Sequence, residues 1–163
     1  MALDLTLVIP CYREGSHIER SFVDLTDALR RSALDYEIIF IDDQSPDDTV
    51  PKLERLTAAH PRTRLERNPQ NLGRGGTVMR GFRMSTAKVV GFIDIDLSTP
   101  PLYVAHLAHL ILEDRTDVAT CHRSYKVELE VLHKVWLRYV LSYGYRYLSR
   151  WYLGHPMRDI TTA

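Results

Sequence analysis

Two aspartates separated by one residue, Asp94 and Asp96, follow an apolar segment that ends at Ile93. An extended chain points alternate side chains to the same side, so both carboxylates are expected to face one way. Carboxylate oxygens suit Mg²⁺ and Mn²⁺, and the pair therefore predicts a site for one of these cations. The structural alternative is that Asp96 caps the helix beginning near Pro101, or that both acids face water.

A second acidic cluster begins with Asp42 and Asp43, at the end of another apolar segment. A carboxylate in this position can accept hydrogen bonds from a base N–H or from ribose hydroxyls, as in dinucleotide-binding folds. We expect Asp43 to contact a ligand in this way. Ser45, Asp47 and Asp48 are turn and cap formers, and we expect them to shape the turn.

A glycine-rich segment at 73–77 has neither the Gly-Lys-Ser/Thr ending of a P-loop nor the spacing of a dinucleotide fingerprint. Its glycines let a backbone approach a ligand closely, and Arg74 at a helix start can reach a phosphate. The alternative is a glycine-rich helix entry with a solvated arginine.

The two acidic clusters lie at the ends of predicted strands, in a sequence where strands and helices alternate. Predicted strands span 5–10, 37–41, 63–67, 88–93 and 117–121, and predicted helices span 18–29, 47–59, 77–85 and 102–113. The second helix is expected to carry acidic residues in its first turn. Alternation of this kind predicts an α/β fold, a mostly parallel sheet with helices on both faces. Ligands bind beyond the carboxyl ends of such strands, which points to the segments after Ile9, Ile41 and Ile93.

Composition limits the classes of function. The 163 residues match one domain, and 21 Lys plus Arg balance 21 Asp plus Glu, so no basic field attracts nucleic acid. Two cysteines and no signal-like N-terminus indicate a reducing, cytoplasmic compartment. No apolar run approaches the roughly 18 residues of a spanning helix. The seven histidines lack metal-ligand spacing, and we expect all of them to be structural.

The segment 128–153 mixes aromatic residues with arginines and a lysine. Such a mixture is typical of a helix lying in the headgroup layer of a membrane. A helix that packs on the sheet with snorkelling arginines has the same composition. Both interpretations stay open, and peripheral membrane contact is our expectation.

Four motifs in order resemble those of family 2 glycosyltransferases with the GT-A fold, a Rossmann-like fold. They are IPCYRE at 9–14, IDDQSPD at 41–47, NLGRGG at 71–76 and DIDLSTP at 94–100. The resemblance covers nearly the whole chain and is nearest to the branch of polyprenyl-phosphate (dolichyl-phosphate) hexose synthases. Residues 157–163 resemble the beginning of an acceptor-side Arg-Asp motif but stop before its glycine. We therefore expect 1–163 to be a catalytic domain truncated at its C-terminus.

The resemblance implies a role for individual residues on the donor side. Those implied to hold the donor nucleotide are Pro10, Tyr12, Glu14 and Asp43, to which we add Arg74 and Asp94. Asp94 and Asp96 are implied to hold the cation and the donor diphosphate. Ser98 stands where some members have a glutamine that completes the metal shell, and is the third candidate ligand.

On the acceptor side, Arg123 resembles a Ser-Arg position of the family that meets phosphate. With Asp94 and Asp96 it completes the expected catalytic set. Arg138 and Asp159 are further candidates for the acceptor phosphate.

The implied activity is an inverting, metal-dependent transfer of a hexose from a UDP-glucose or GDP-mannose type donor. The implied acceptor is a dolichyl or undecaprenyl phosphate at the cytoplasmic face of a membrane. A phosphate monoester has a second pKa of about 6, so the acceptor attacks as a dianion with little help from a base. Two alternatives are a soluble sugar or protein acceptor, and a receiver-like Mg²⁺-binding phosphoacceptor domain. In the latter, however, the acidic pair would follow the first strand.

Overall fold

The computed structural model describes residues 3–121, 144–145, 147–148 and 151–152. The chain divides into two units, 1–120 and 121–163. Strands and helices alternate through the first unit: β1 (Leu5–Cys11), α1 (Ile18–Arg30), β2 (Tyr36–Asp42), α2 (Thr49–Ala58), β3 (Thr63–Arg67), α3 (Gly73–Met84), β4 (Val89–Phe92) and α4 (Leu102–Leu112). In the second unit, Cys121 is half-buried and outside any helix, and the other described residues are helical and exposed. Among the described residues, no helix combines the length and apolar character needed to cross a membrane.

The four strands form one parallel sheet in the order β3-β2-β1-β4. The chain moves outward from β1 through β2 to β3, and then returns to the other side of β1 as β4. The direction of winding therefore reverses between β1 and β4. Parallel α/β sheets bind ligands beyond the carboxyl ends of the strands at such a reversal. The predicted fold class is confirmed.

Both faces of the sheet are covered, as right-handed crossovers on either side of a reversal require. On one face, Phe22 of α1, Leu53 of α2 and Ala108 of α4 pack with the inward side chains of the strands. On the other face, Val8, Ile39 and Ile41 pack against residues that include Phe82 and Met84 around α3. The central strands are buried on both sides, which explains their nearly continuous apolar sequences.

Helix α3 lies very close to the sheet at Gly81. A Cβ added there would lie 2.4 Å from Cγ1 of Val8 and 2.9 Å from Cδ1 of Ile41. Those distances are shorter than van der Waals contact, so any larger residue would push the helix outward.

Cys11 ends β1 and is 1% exposed. Burial raises the pKa of its thiol well above the ordinary value, and the neighbouring carboxylates of Glu14 and Asp42 raise it further. The thiol is thus almost wholly protonated at neutral pH.

Three predictions about elements were wrong. Helix α3 begins at Gly73, one turn before the predicted start, and α2 begins at Thr49, so Asp47 and Asp48 precede it and its first turn has no acidic residue. The third concerns 117–121, which forms no strand. A strand needs a partner, and among the described residues none pairs with the outer edge of β4.

Candidate functional site

The loops after β1 and β2 are tied together by hydrogen bonds. Three successive backbone N–H groups, at 13–15, donate to side chains in 45–49. The pairs are Arg13 N–H to Oγ of Ser45 (3.1 Å), Glu14 N–H to Oγ1 of Thr49 (2.8 Å) and Gly15 N–H to Oδ2 of Asp47 (3.2 Å). Ser45 and Asp47 shape the turn as predicted and also fix the first loop. Thr49 was missed, because a lone threonine at a helix start gives no distinctive signal.

The first loop presents an aromatic ring beside a cation. Tyr12 is 44% exposed, and the guanidinium of Arg13 lies 5.3 Å from the centroid of its ring. Arg13 has a left-handed backbone, with φ of 62°. Pro10, half-buried within β1, precedes them. An exposed ring in a fixed loop offers a flat surface for a nucleobase.

Glu14 brings a half-buried carboxylate to this edge. Burial raises its pKa; His17 opposes that shift, while the charges of Asp96 and Asp94 add to it, and the net effect is a raised pKa. Nε2 of His17 lies 2.7 Å from Oε2 of Glu14. The charges of Asp94 and Asp96 therefore reach Glu14, and His17, expected to be structural, contacts Glu14 directly.

Asp94 and Asp96 lie in a turn. The expectation of an extended segment was wrong, because β4 ends at Phe92 and Leu97 N–H donates to the carbonyl oxygen of Asp94 at 3.1 Å. The left-handed backbone of Leu97, with φ of 52°, closes this turn. Ser98 N–H donates to Oδ1 of Asp96 at 2.9 Å, which fixes the second carboxylate.

The capping alternative for Asp96 is also wrong. Pro101 is the N-cap residue of α4, and no side chain caps the helix by a hydrogen bond. Asp96 is exposed and Asp94 is half-buried, so both are accessible from the edge of the sheet.

Arg74 forms a two-pronged ion pair with Asp94. Its Nε lies 2.9 Å from Oδ1 and its Nη2 lies 2.7 Å from Oδ2. The same guanidinium lies 5.5 Å from the centroid of the Phe92 ring. The arginine expected to reach a phosphate thus holds one of the two expected metal ligands.

Asp43 is 4% exposed and anchors the glycine-rich segment. Its Oδ1 accepts hydrogen bonds from Nδ2 of Asn68 (2.6 Å) and from Leu72 N–H (2.8 Å). Burial by itself would raise the pKa of Asp43, but the hydrogen bonds from Leu72, Asn68 and Thr77 outweigh it and lower the pKa below 3.8. Asn68, 1% exposed, was missed in the sequence, because a single loop asparagine forms no pattern.

Whether Asp94 and Asp96 fit a divalent cation depends on the number and type of their donor atoms. Among the described residues, no group of three or more His, Cys, Asp or Glu side chains is arranged to hold a metal ion. Mg²⁺ and its analogues, however, commonly bind through one or two carboxylates and complete their shell with substrate phosphates and water. Asp94 and Asp96 fit a cation that arrives with a diphosphate. Ser98 shares their turn and stays a predicted ligand.

The acceptor-side candidates Arg123, Arg138 and Asp159 lie outside the described residues. Within 128–153, the described side chains are strongly exposed. They are Tyr145 (57%), Tyr147 (75%), Leu148 (63%), Trp151 (78%) and Tyr152 (80%).

Solved structures share this fold. The TarS 1–349 structure of S. aureus superposes with a TM-score of 0.53 at 17% identity, covering 78% of this chain and 39% of that one. The mannosyltransferase PcManGT of Pyrobaculum calidifontis, in complex with GDP-Man and Mn²⁺, gives 0.50 at 22% identity, covering 59% and 28%. Both are far below the identity at which function follows, and they support the fold alone.

Curated relatives are more similar in sequence. A dolichol-phosphate mannosyltransferase of Pyrococcus furiosus is 32% identical over 124 residues, which is 76% of this chain and 34% of the relative. A dolichyl-phosphate beta-glucosyltransferase of Dictyostelium discoideum is 29% identical over 152 residues, or 86% and 46%. The chain therefore spans less than half the length of either relative, and both names support the polyprenyl-phosphate hexose synthase branch. The family description "Glycosyl transferase family 2" matches residues 6–160, and the chain belongs to that family.

Proposed function

We propose that this protein transfers a hexose from a nucleotide-diphosphate sugar, of the UDP-glucose or GDP-mannose type, to a polyprenyl phosphate. The observation that carries the proposal is the convergence of Glu14, Asp94, Asp96 and Arg74 beyond the carboxyl ends of β1 and β4. The names of the relatives favour a lipid-phosphate acceptor. Because the chain belongs to glycosyltransferase family 2, we do not pursue the alternative of a receiver-like phosphoacceptor domain.

Asp94 and Asp96 are the residues that would hold Mg²⁺ or Mn²⁺. A cation held there would supply positive charge next to the negative charge that develops on the diphosphate leaving group. Tyr12 offers its exposed ring to the base, and Pro10 shapes the backbone before it. Asp43 holds the glycine-rich segment in place and meets the nucleoside. No protein acid is needed to protonate a leaving diphosphate.

On the acceptor side, an oxygen of the lipid phosphate attacks C1 of the hexose. The bond between C1 and the diphosphate oxygen breaks, and its electron pair leaves with the nucleoside diphosphate. One displacement inverts the anomeric centre. Arg123, Arg138 and Asp159 are proposed to hold the acceptor phosphate, and the exposed aromatic side chains within 128–153 to contact the cytoplasmic face of a membrane.

The first test replaces Asp96 by Asn, which keeps the size of the side chain and removes its charge. We expect transfer from UDP-glucose or GDP-mannose to a polyprenyl phosphate to fall at least about a hundredfold, and Mn²⁺-dependent binding of the nucleoside diphosphate to weaken. Asp24→Asn is the matched control, since Asp24 is an exposed carboxylate on α1. Wild-type turnover in Asp96→Asn would exclude the metal role.

The acceptor is tested by running the same reaction with soluble sugars beside the polyprenyl phosphate. If the hexose were transferred only to soluble sugars, the proposal of a lipid-phosphate acceptor would be wrong, and the acceptor would be a soluble molecule. The anomeric configuration of the product, measured by NMR, tests inversion separately.

A further inference from the structure

Arg74 occupies both oxygens of a carboxylate that the proposed function needs for a cation. Parallel contacts of a guanidinium to a carboxylate, here 2.9 and 2.7 Å, are the strongest geometry for such a pair. The side chains are 35% and 30% exposed, so water screens the pair only partly. The ring of Phe92 lies against the same guanidinium. Arg74 is thus held in place by two neighbours at the end of β4.

This pair has a consequence for a cation that arrives by itself. The cation must displace Arg74 to use Asp94, and the displaced guanidinium then loses its only carboxylate among the described residues. The exchange gains the contact between the cation and Asp94 and loses the contact between Arg74 and Asp94. Binding of the cation alone is therefore expected to be weak.

A diphosphate changes that balance, because its oxygens are a second partner for a guanidinium. Arg74 lies in the first turn of α3, a helix of 12 residues, where backbone N–H groups favour an anion. A Cβ added at the neighbouring Gly75 would meet no atom within 4 Å, so space is open beside Arg74.

We propose that Arg74 exchanges partners: it neutralises Asp94 in the ligand-free protein, and turns to the diphosphate when cation and nucleotide bind together. This inference rests on the proposed function and names the residue that couples its two ligands. Because coupling is reciprocal, the nucleotide raises the affinity for the cation by the same factor as the cation raises the affinity for the nucleotide.

The experiment titrates the full chain with Mn²⁺ and follows free Mn²⁺ by electron paramagnetic resonance, without nucleotide and with GDP or UDP. The same titration of each nucleotide without protein is subtracted, because GDP and UDP themselves bind Mn²⁺. In the wild type, we expect weak binding of Mn²⁺ alone and a gain of about tenfold with nucleotide. In Arg74→Gln, we expect Mn²⁺ alone to bind about fivefold more tightly, and the coupling to fall to the smaller factor that direct contact between the cation and the diphosphate supplies. The nucleotide is expected to bind more weakly.

Two further variants complete the design. Arg83→Gln changes an exposed arginine in the last turn of the same helix, and should titrate like the wild type. Arg74→Lys keeps the charge without the two-pronged contact, so it should bind Mn²⁺ alone about twofold more tightly than the wild type. If Arg74→Gln fails to fold, the affinity of Arg74→Lys for Mn²⁺ alone tests the same proposal.

The outcomes separate the two proposals. Unchanged or weaker binding of Mn²⁺ alone in the Arg74 variants, with normal nucleotide binding by the wild type, overturns the exchange alone. Wild-type protein that binds neither GDP nor UDP with Mn²⁺ overturns the proposed function and the exchange together. Tighter binding of Mn²⁺ alone, combined with reduced coupling, supports both.

Discussion

At the scale of single residues, the site depends on carboxylates in very different surroundings. Asp43 is buried and receives hydrogen bonds from Asn68 and Leu72. Asp96 is exposed and bonded to one backbone N–H. Glu14 is half-buried next to other acids, which raises its pKa. Because Asp43 is already occupied by protein donors, its first function is to hold the glycine-rich segment, and any ligand contact adds to that function.

Asp43 predicts a specific dependence of stability on pH. Its pKa in the folded protein is below the ordinary 3.8. Its contribution is therefore fully present above that value and is lost as the pH falls through the lower folded pKa. In urea denaturation between about pH 5 and about pH 2.5, the wild type should lose its stability advantage over Asp43→Asn. Asp24→Asn is the control and should keep the wild-type dependence. A difference between wild type and Asp43→Asn that stays constant with pH would contradict the prediction.

At the scale of elements, the contact of α3 with the sheet determines where the glycine-rich segment lies. Gly81 allows α3 to reach Val8 and Ile41. The first turn of the same helix carries Arg74 to Asp94. A shift of α3 away from the sheet would therefore also move the ion pair.

Gly81→Ala is expected to destabilise the protein by about 1 to 3 kcal/mol, since the added methyl overlaps two core side chains. Gly75→Ala, in the same helix with open space around it, is the matched control. It should leave stability unchanged or raise it by up to about 1 kcal/mol, because alanine favours helix over glycine. Denaturation in urea measures both, and equal effects of the two variants would refute the packing argument.

Most elements were predictable because their side-chain periodicity reflects burial. Phe22, Leu25 and Leu29 recur on one face of α1, and that face is the buried one. The segment 117–121 was mispredicted, because strand formation depends on a partner that local sequence does not reveal. The hydroxyl of Thr116, just before this segment, instead forms hydrogen bonds with the backbone of Val118.

The candidate site was predictable to the level of which loops contribute. Parallel strands bring their carboxyl ends together, so Tyr12, Asp43 and Asp94 were expected at one edge. The contacts between them were not predictable. The Arg74 to Asp94 pair joins residues 20 positions apart through the packing of α3, and the turn at Leu97 depends on a left-handed backbone in a residue that rarely adopts one.

At the scale of the whole molecule, the described strand pairing is longest in the centre of the sheet. The strands β1 and β2 pair over seven residues, whereas β1 and β4 pair over four. Among the residues that the structure describes, β4, which precedes the acidic turn, is therefore joined to the sheet by a shorter ladder than β2. This distribution leaves the site side of the sheet freer to open than the β1 and β2 pair.

The rate at which the buried Cys11 reacts with a thiol reagent measures how readily the centre of the sheet opens. Thiol reagents attack the thiolate, so a cysteine enclosed at the end of β1 reacts only when the centre of the sheet opens. Cys121 is half-exposed and should be labelled first. We expect two phases in mass-spectrometric labelling at neutral pH, the slow one accelerating with urea as the circular dichroism signal falls. Equal rates at the two thiols would mean that the strand carrying the first loop opens as readily as the surface. If the rates differ, the slow rate reports how often the centre of the sheet opens in the native protein, without any engineered probe.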